Sequence, residues 1–133
     1  MKTEIFTLCD FAQDNGGKLT VVGTFDVLNL DGATPFVPPF YLAFKGRYEK
    51  TDSGETKATI NIRDKVGVDI IPPMNVPVNL KMPDNTDEGR LALVAGFVGM
   101  KFVKEGNFRV LIRIGSYSNE LPITIRIRKE AGK

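Results

Sequence analysis

The sequence predicts an all-β fold, an antiparallel β-sandwich of about eight to nine strands. Three observations carry that prediction. Apolar and polar residues alternate at a period of two through much of the 133-residue chain. Clusters of Gly, Pro, Asn and Asp separate these runs at roughly the 8–12-residue spacing of sandwiches and barrels. No segment of helix length carries a clean apolar stripe at i, i+3, i+4 and i+7.

The strand-like runs fall at 3–12, 18–30, 40–48, 55–64, 67–71, 75–82, 90–103, 105–115 and 121–129. In "FYLAFKGRY", Phe40, Leu42, Phe44 and Tyr48 share one side and Tyr41, Lys45 and Arg47 the other. "ATINIR" sets Ala58, Ile60 and Ile62 against Thr59, Asn61 and Arg63. In the last two runs, Phe108, Val110, Ile112 and Ile114 oppose Arg109, Leu111 and Arg113, and Ile123, Ile125 and Ile127 oppose Thr124, Arg126 and Arg128. Each pattern describes a strand with one buried and one wet face. Joining the last two through "GSYSNE" brings Val110 near Ile125, Ile112 near Ile123 and Arg109 near Arg126. "GRLALVAGFVGMKF" has some helical spacing, but Gly96 and Gly99 would each cost about 1 kcal/mol inside a helix. Phe97, Val98, Phe102 and Val103 favour a strand, buried on both faces or facing a partner.

Bulk properties fit one soluble domain spanning 1–133. The chain is 42% hydrophobic and 26% charged, with 18 basic and 16 acidic residues for a net charge of +2. That balance argues against a general polyanion binder and leaves only local patches. A single cysteine forbids an intrachain disulfide and fits a reducing compartment. The N-terminal segment has no signal-peptide core, and no window reaches the roughly 18–20 apolar residues of a membrane helix. A cytoplasmic location is the expectation.

"LCDFA", "GKLTVVGTFD", a proline-containing loop before a strand, and "FVKEGNFRVLI" together resemble an uncharacterised bacterial family, a domain of unknown function. Its members open with a Cys-Asp step followed by G-K-L and G-x-F, here Cys9-Asp10, Gly17-Lys18-Leu19 and Gly23-Thr24-Phe25. A later glycine precedes an aromatic, here in Gly106-Asn107-Phe108. The resemblance runs over most of the chain and is most distinctive in its N-terminal third. It implies a small immunoglobulin-like sandwich and assigns no activity, cofactor or site role.

The chemistry-bearing residues exclude several function classes. The chain has no histidine, so Cys-His and Ser-His constellations are absent. Cys9 is the one thiol, and core burial is its plain reading. Adjacent strand residues face opposite ways, so Asp10 does not follow Cys9 into a site. Zinc is excluded on ligand supply. A calcium site would need Asp14, Asn15, Asp52 and Glu55 to share one end of the sandwich, and no dense D-x-D pattern supports it. "DNGGK" lacks phosphate-loop spacing and reads as a hairpin turn. No cofactor and no metal are expected, and the protein is not expected to be an enzyme. An enzymatic alternative would have to use carboxylates such as Asp10 or Asp26 with Arg or Lys.

Two surface features remain. Arg109, Arg113, Arg126 and Arg128 project from the wet face of the last hairpin, with Lys129 nearby and Lys45 and Arg47 outward on another strand. They suggest anion or nucleic-acid binding, although charge that keeps an edge soluble explains them more simply and no aromatics interleave for stacking. Sugar binding has only Tyr41 and Tyr117 to offer as exposed rings. Apolar residues form the second feature. Val22, Leu28 and Leu30 share one parity of a long second strand that is apolar on both sides. Phe36 and Val37 lie in "TPFVPPFYL", where they cap the core or form a contact patch. The favoured function is therefore a non-enzymatic binding or protein-interaction module, self-associating or bound to a protein partner, with no membrane role.

Overall fold

A computed structural model of the chain describes residues 1–32, 37–102 and 104–128. Nine strands form two sheets: β1 Lys2–Asn15, β2 Lys18–Phe25, β3 Val27–Asp31, β4 Phe40–Glu49, β5 Gly54–Arg63, β6 Met74–Leu80, β7 Glu88–Phe97, β8 Gly106–Ile114 and β9 Tyr117–Arg128. One sheet has the order β2-β1-β4-β7 and the other β3-β9-β8-β5-β6. Six of the strand pairings are antiparallel; β3 lies parallel to β9, so the second sheet is mixed rather than purely antiparallel. No described helix is long and apolar enough to cross a membrane.

The strand order fits the immunoglobulin arrangement, in which A, B, E and D form one sheet and C, F and G the other. Here β1, β4 and β7 occupy the A, B and E places, and β5, β8 and β9 the C, F and G places, with β6 added beside C. No described strand occupies the D place beside β7, and β2 is added outside A.

Local chemistry explains the turns. Gly16 and Gly17 connect β1 to β2 with φ of 61° and 90°, the doubly positive geometry of a two-residue hairpin turn. The Gly17 N–H donates to Asp14 Oδ1 at 2.8 Å. Gly115, at φ 59°, and Ser116 alone connect β8 to β9. That turn is four residues shorter than "GSYSNE", so the hairpin register differs from the sequence expectation. Val110 pairs with Leu121, Ile112 with Asn119, and Arg109 with Pro122 rather than lying near Arg126.

Three other expectations are corrected. The run 18–30 is two strands, because the chain changes sheets at Asp26, whose carbonyl accepts the Thr124 N–H at 2.9 Å. Residues 67–71 form no strand. Asp64 instead organises a turn, its Oδ1 accepting the N–H groups of Val66 and Val68 at 3.1 and 2.8 Å, and only an isolated bridge joins Arg63 to Asp69. The run 90–103 is a strand, not a helix, but its regular part is Glu88–Phe97.

The core lies between the sheets. Leu8, Phe40, Leu42, Phe44, Leu93, Ala95 and Phe97 come from one, and Ile60, Ile62, Val110, Ile112, Ile114, Ile123 and Ile125 from the other. Phe40 and Phe97 stack with ring centroids 4.8 Å apart. Full burial of each large member contributes about 1.5–3 kcal/mol. Leu30 and Val37 belong to this core and Leu28 packs against it. Leu30 and Val37 therefore cannot present a contact surface; the sheet change at Asp26 turns Leu30 inward. Phe36 and Lys129 lie outside the described residues.

Candidate interaction surfaces

The outer side of the four-stranded sheet departs furthest from an ordinary wet face. Inward residues of β4 and β7 are Phe40, Leu42 and Phe44 with their partners Phe97, Ala95 and Leu93. Alternation therefore turns Tyr41, Ala43, Ala92, Val94 and Gly96 outward. On β1 and β2, Cys9 pairs with Thr24 on this side; beyond Asp10 strict alternation fails, since Ala12, Leu19 and Val21 join Cys9 while Phe11, paired with Val22, still meets Tyr41. None of these side chains is charged, and Lys45, the partner of Ala92, is the first charge reached along β4 on this side. Phe11 is 43% exposed and Val22 53% exposed. The Phe11 and Tyr41 rings meet edge to face at 5.6 Å. Tyr41 covers Gly96, where a Cβ would stand 3.1 Å from its ring.

Cys9 belongs to this outer side rather than to the space between the sheets. It is fully buried in a satellite cluster with Ala12 and Ala43, walled by Leu19, Val21, Tyr41 and Val94. Its thiol donates to the Tyr41 carbonyl at 3.6 Å, and burial pushes its pKa up. A thiol held protonated in that way is a poor nucleophile. Asp10 packs over Gly23, whose φ is 68° and whose hypothetical Cβ would lie 2.3 Å from Asp10 Oδ2. The β1–β2 register is the same on both sides of this point, yet Ala12 and Cys9, of opposite parity, join one cluster. The left-handed Gly23, covered by Asp10, lies between these two positions of the hairpin.

The same sheet becomes charged toward the start of β1. Arg47 Nη1 donates to Glu88 Oε1 at 3.2 Å, and its Nε stands 3.2 Å from Glu4 Oε2, off hydrogen-bond alignment. Arg47 and Arg90 are cross-strand partners, so these carboxylates offset a like-charge pairing.

The basic residues of the other sheet do not form one stripe. Arg109 lies opposite Arg63 across β5 and β8. Each has a carboxylate: Arg109 Nη1 is 3.5 Å from Glu120 Oε1, and Arg63 Nε is 2.8 Å from Asp69 Oδ1. With Lys65, Val66 and Leu111 they line a shallow cleft of about 290 Å³. Arg113 stands farther along, beside Thr59 and Lys57. Arg126 pairs in register with Asn29 and Arg128 with Asp31, on the β3 side. The shortened β8–β9 turn separates Arg126 from Arg109 by the length of four residues on β9, roughly 13 Å.

The carboxylates once considered for calcium are also separated. Asp14 and Asn15 sit at the β1–β2 tip, whereas Asp52 sits beyond the other end of β1, where its Oδ2 is 3.5 Å from the Met1 amine and accepts the Glu49 N–H at 3.1 Å. Among the described residues no three Asp, Glu or Cys side chains group to hold a metal ion.

Sequence reasoning missed Phe11, Tyr41 and Val94 as parts of one apolar surface. The available signal was the absence of charge at every outward position from Tyr41 to Ala43 and from Ala92 to Gly96. Residues 4–127 match the model of a family of unknown function, DUF6941. No curated protein and no solved structure matches the chain.

Proposed function

Since the chain belongs to this family, whose description assigns no activity, we propose a non-enzymatic interaction module that docks a protein partner on the outer side of the four-stranded sheet. One observation carries the reading: Phe11, 43% exposed, meets the Tyr41 ring and pairs with Val22, 53% exposed, beside the uncharged cluster of Ala43 and Val94. Exposed apolar groups gathered on one sheet face mark contact sites more often than scattered ones do. The one thiol is buried and protonated, which supports a role without covalent chemistry. A location in the cytoplasm accords with a free cysteine.

Capture from an extract of the source cells tests this, using immobilised wild type beside Phe11→Lys and Val22→Lys. A stoichiometric partner recovered by wild type and lost by both variants supports the reading, provided both variants melt like wild type. Equal recovery by all three overturns it. Anion binding through Arg109, Arg113, Arg126 and Arg128 is the weaker reading, because Arg109 is already ion-paired and the four do not converge.

A further inference from the structure

The two sheets have four edge strands: β2, β3, β6 and β7. An unpaired edge offers a row of backbone donors and acceptors to another chain, and folded proteins usually blunt it. Three of these edges are blunted. Strand β2 carries the left-handed Gly23, β3 has only five residues, and β6 has Pro77 at its middle. Strand β7 is less protected: its charges are Glu88 and Arg90 near its start, and the left-handed Gly99 lies beyond its end. The strand runs ten residues without proline, lysine or bulge, and its register with β4 is unbroken from Phe40↔Phe97 to Glu49↔Glu88. The same register continues beyond the strand, where the Val37 N–H donates to the Met100 carbonyl at 3.1 Å. This is the edge beside which the immunoglobulin arrangement places strand D.

We propose that a second copy of this chain fills that place, its β7 pairing antiparallel with β7 about a two-fold axis. This rests on the reading of the chain as an interaction module, but uses the sheet edge rather than its outer face. Charge selects the antiparallel self-pairing. Asp84, Asp87 and Glu88, the last ion-paired with Arg47, are exposed with Arg90 at the start of β7, and the basic Lys101 and Lys104 are exposed beyond its end. Antiparallel pairing sets each acidic end beside a basic end, whereas parallel pairing would set like beside like. Keeping inward residues beside inward residues restricts the register to whole two-residue steps. With Val94 opposite its own copy, Leu93 lies opposite Ala95, and Asp87, one residue before the strand, comes to the end where Lys101 lies beyond the left-handed Gly99. Val98, 77% exposed in the single chain, then lies opposite Arg90, whose aliphatic stem covers it.

Light scattering and cysteine crosslinking test the proposal. At about 50 µM the wild type should show twice the chain mass of 14.7 kDa. Asp87→Lys should weaken the dimer at least ten-fold, and Asp87→Lys with Lys101→Asp should restore it. In a Cys9→Ala background, Val94→Cys should form a disulfide-linked dimer under mild oxidation and Val22→Cys should not. Phe11→Lys should leave the mass doubled, which separates this proposal from the outer-face reading. A wild type that stays at single-chain mass overturns it. So does a dimer that Phe11→Lys abolishes while Asp87→Lys leaves it intact.

Discussion

At Gly23 the Asp10 side chain occupies the space a Cβ would need. Any side chain there would meet Asp10 Oδ2 at 2.3 Å while holding φ at 68°. Gly23→Ala should destabilise the protein by about 1–3 kcal/mol, read from the urea midpoint. Adding Asp10→Ala should recover the steric part and leave the cost of the left-handed backbone. Two of the sequence motifs acquire a physical meaning here. Leu8 pairs with Phe25, Cys9 with Thr24, and Asp10 covers Gly23, so the Cys-Asp step and the G-x-F step are two sides of one contact. Both motifs were legible in the sequence, but their contact was not, because cross-strand register depends on the turn between them.

Titration at the same scale has a definite sign. Burial raises the pKa of the Cys9 thiol above 9.0 and that of the Tyr48 phenol above 10.0. Above those ordinary values the unfolded chain loses protons that the folded chain keeps. Stability is therefore full below about pH 9 and falls as pH climbs toward the raised values. The urea midpoint should decline between about pH 9 and pH 10.5, and Cys9→Ala should flatten the first part of that decline. A midpoint that rises over this interval would contradict the burial of both groups.

Glycine placement governs the elements. Strand β7 has Gly89 and Gly96 directly opposite Tyr48 and Tyr41 of β4. Tyr48 fills the inner side over Gly89, where a Cβ would lie 2.2 Å from its ring, and Tyr41 fills the outer side over Gly96. The rings cover backbone that glycine leaves bare, which is how a strand tolerates two of them. The Tyr48 hydroxyl also donates to the Lys81 carbonyl at 2.6 Å, tying the start of the β6–β7 connection to β4. Tyr48→Phe should cost about 1 kcal/mol by loss of that bond. Gly89→Ala should cost more, about 1–3 kcal/mol, because the ring has no room to move within the core. Chemical denaturation of both variants checks the order.

The elements also mark where periodicity stops being informative. Alternation located β4, β5 and β8 to within a residue or two, although the expected wet side of β5 is covered, with Thr59 and Asn61 buried. It could not divide 18–30, because a chain that changes sheets keeps its apolar content while reversing which parity faces in. It took 67–71 for a strand, although Val68 is 57% exposed and its N–H is held by Asp64 in a turn. The outer apolar surface escaped detection for a related reason. Its members come from four strands, and their adjacency is a property of sheet order rather than of any one run.

Charge is best judged over the whole molecule. A net +2 is spread over both sheets, and of the cations that seemed to converge Arg109 pairs with Glu120 while Arg126 and Arg128 lie at the far end of β9 beside β3. A polyanion gains affinity by releasing counterions from several phosphates at once, which needs several cations on one track. This molecule offers Arg63, Lys65 and Arg109 in one cleft, with Glu120 among them. Retention on a heparin or nucleic-acid matrix should therefore be weak at low salt and gone by about 0.15 M, with a slope that corresponds to no more than about three phosphate contacts. Arg126→Glu should change that slope no more than charge reversal at an unrelated exposed lysine such as Lys18. Retention persisting above about 0.3 M salt, and lost with Arg126→Glu, would require a track of cations that strand order does not supply.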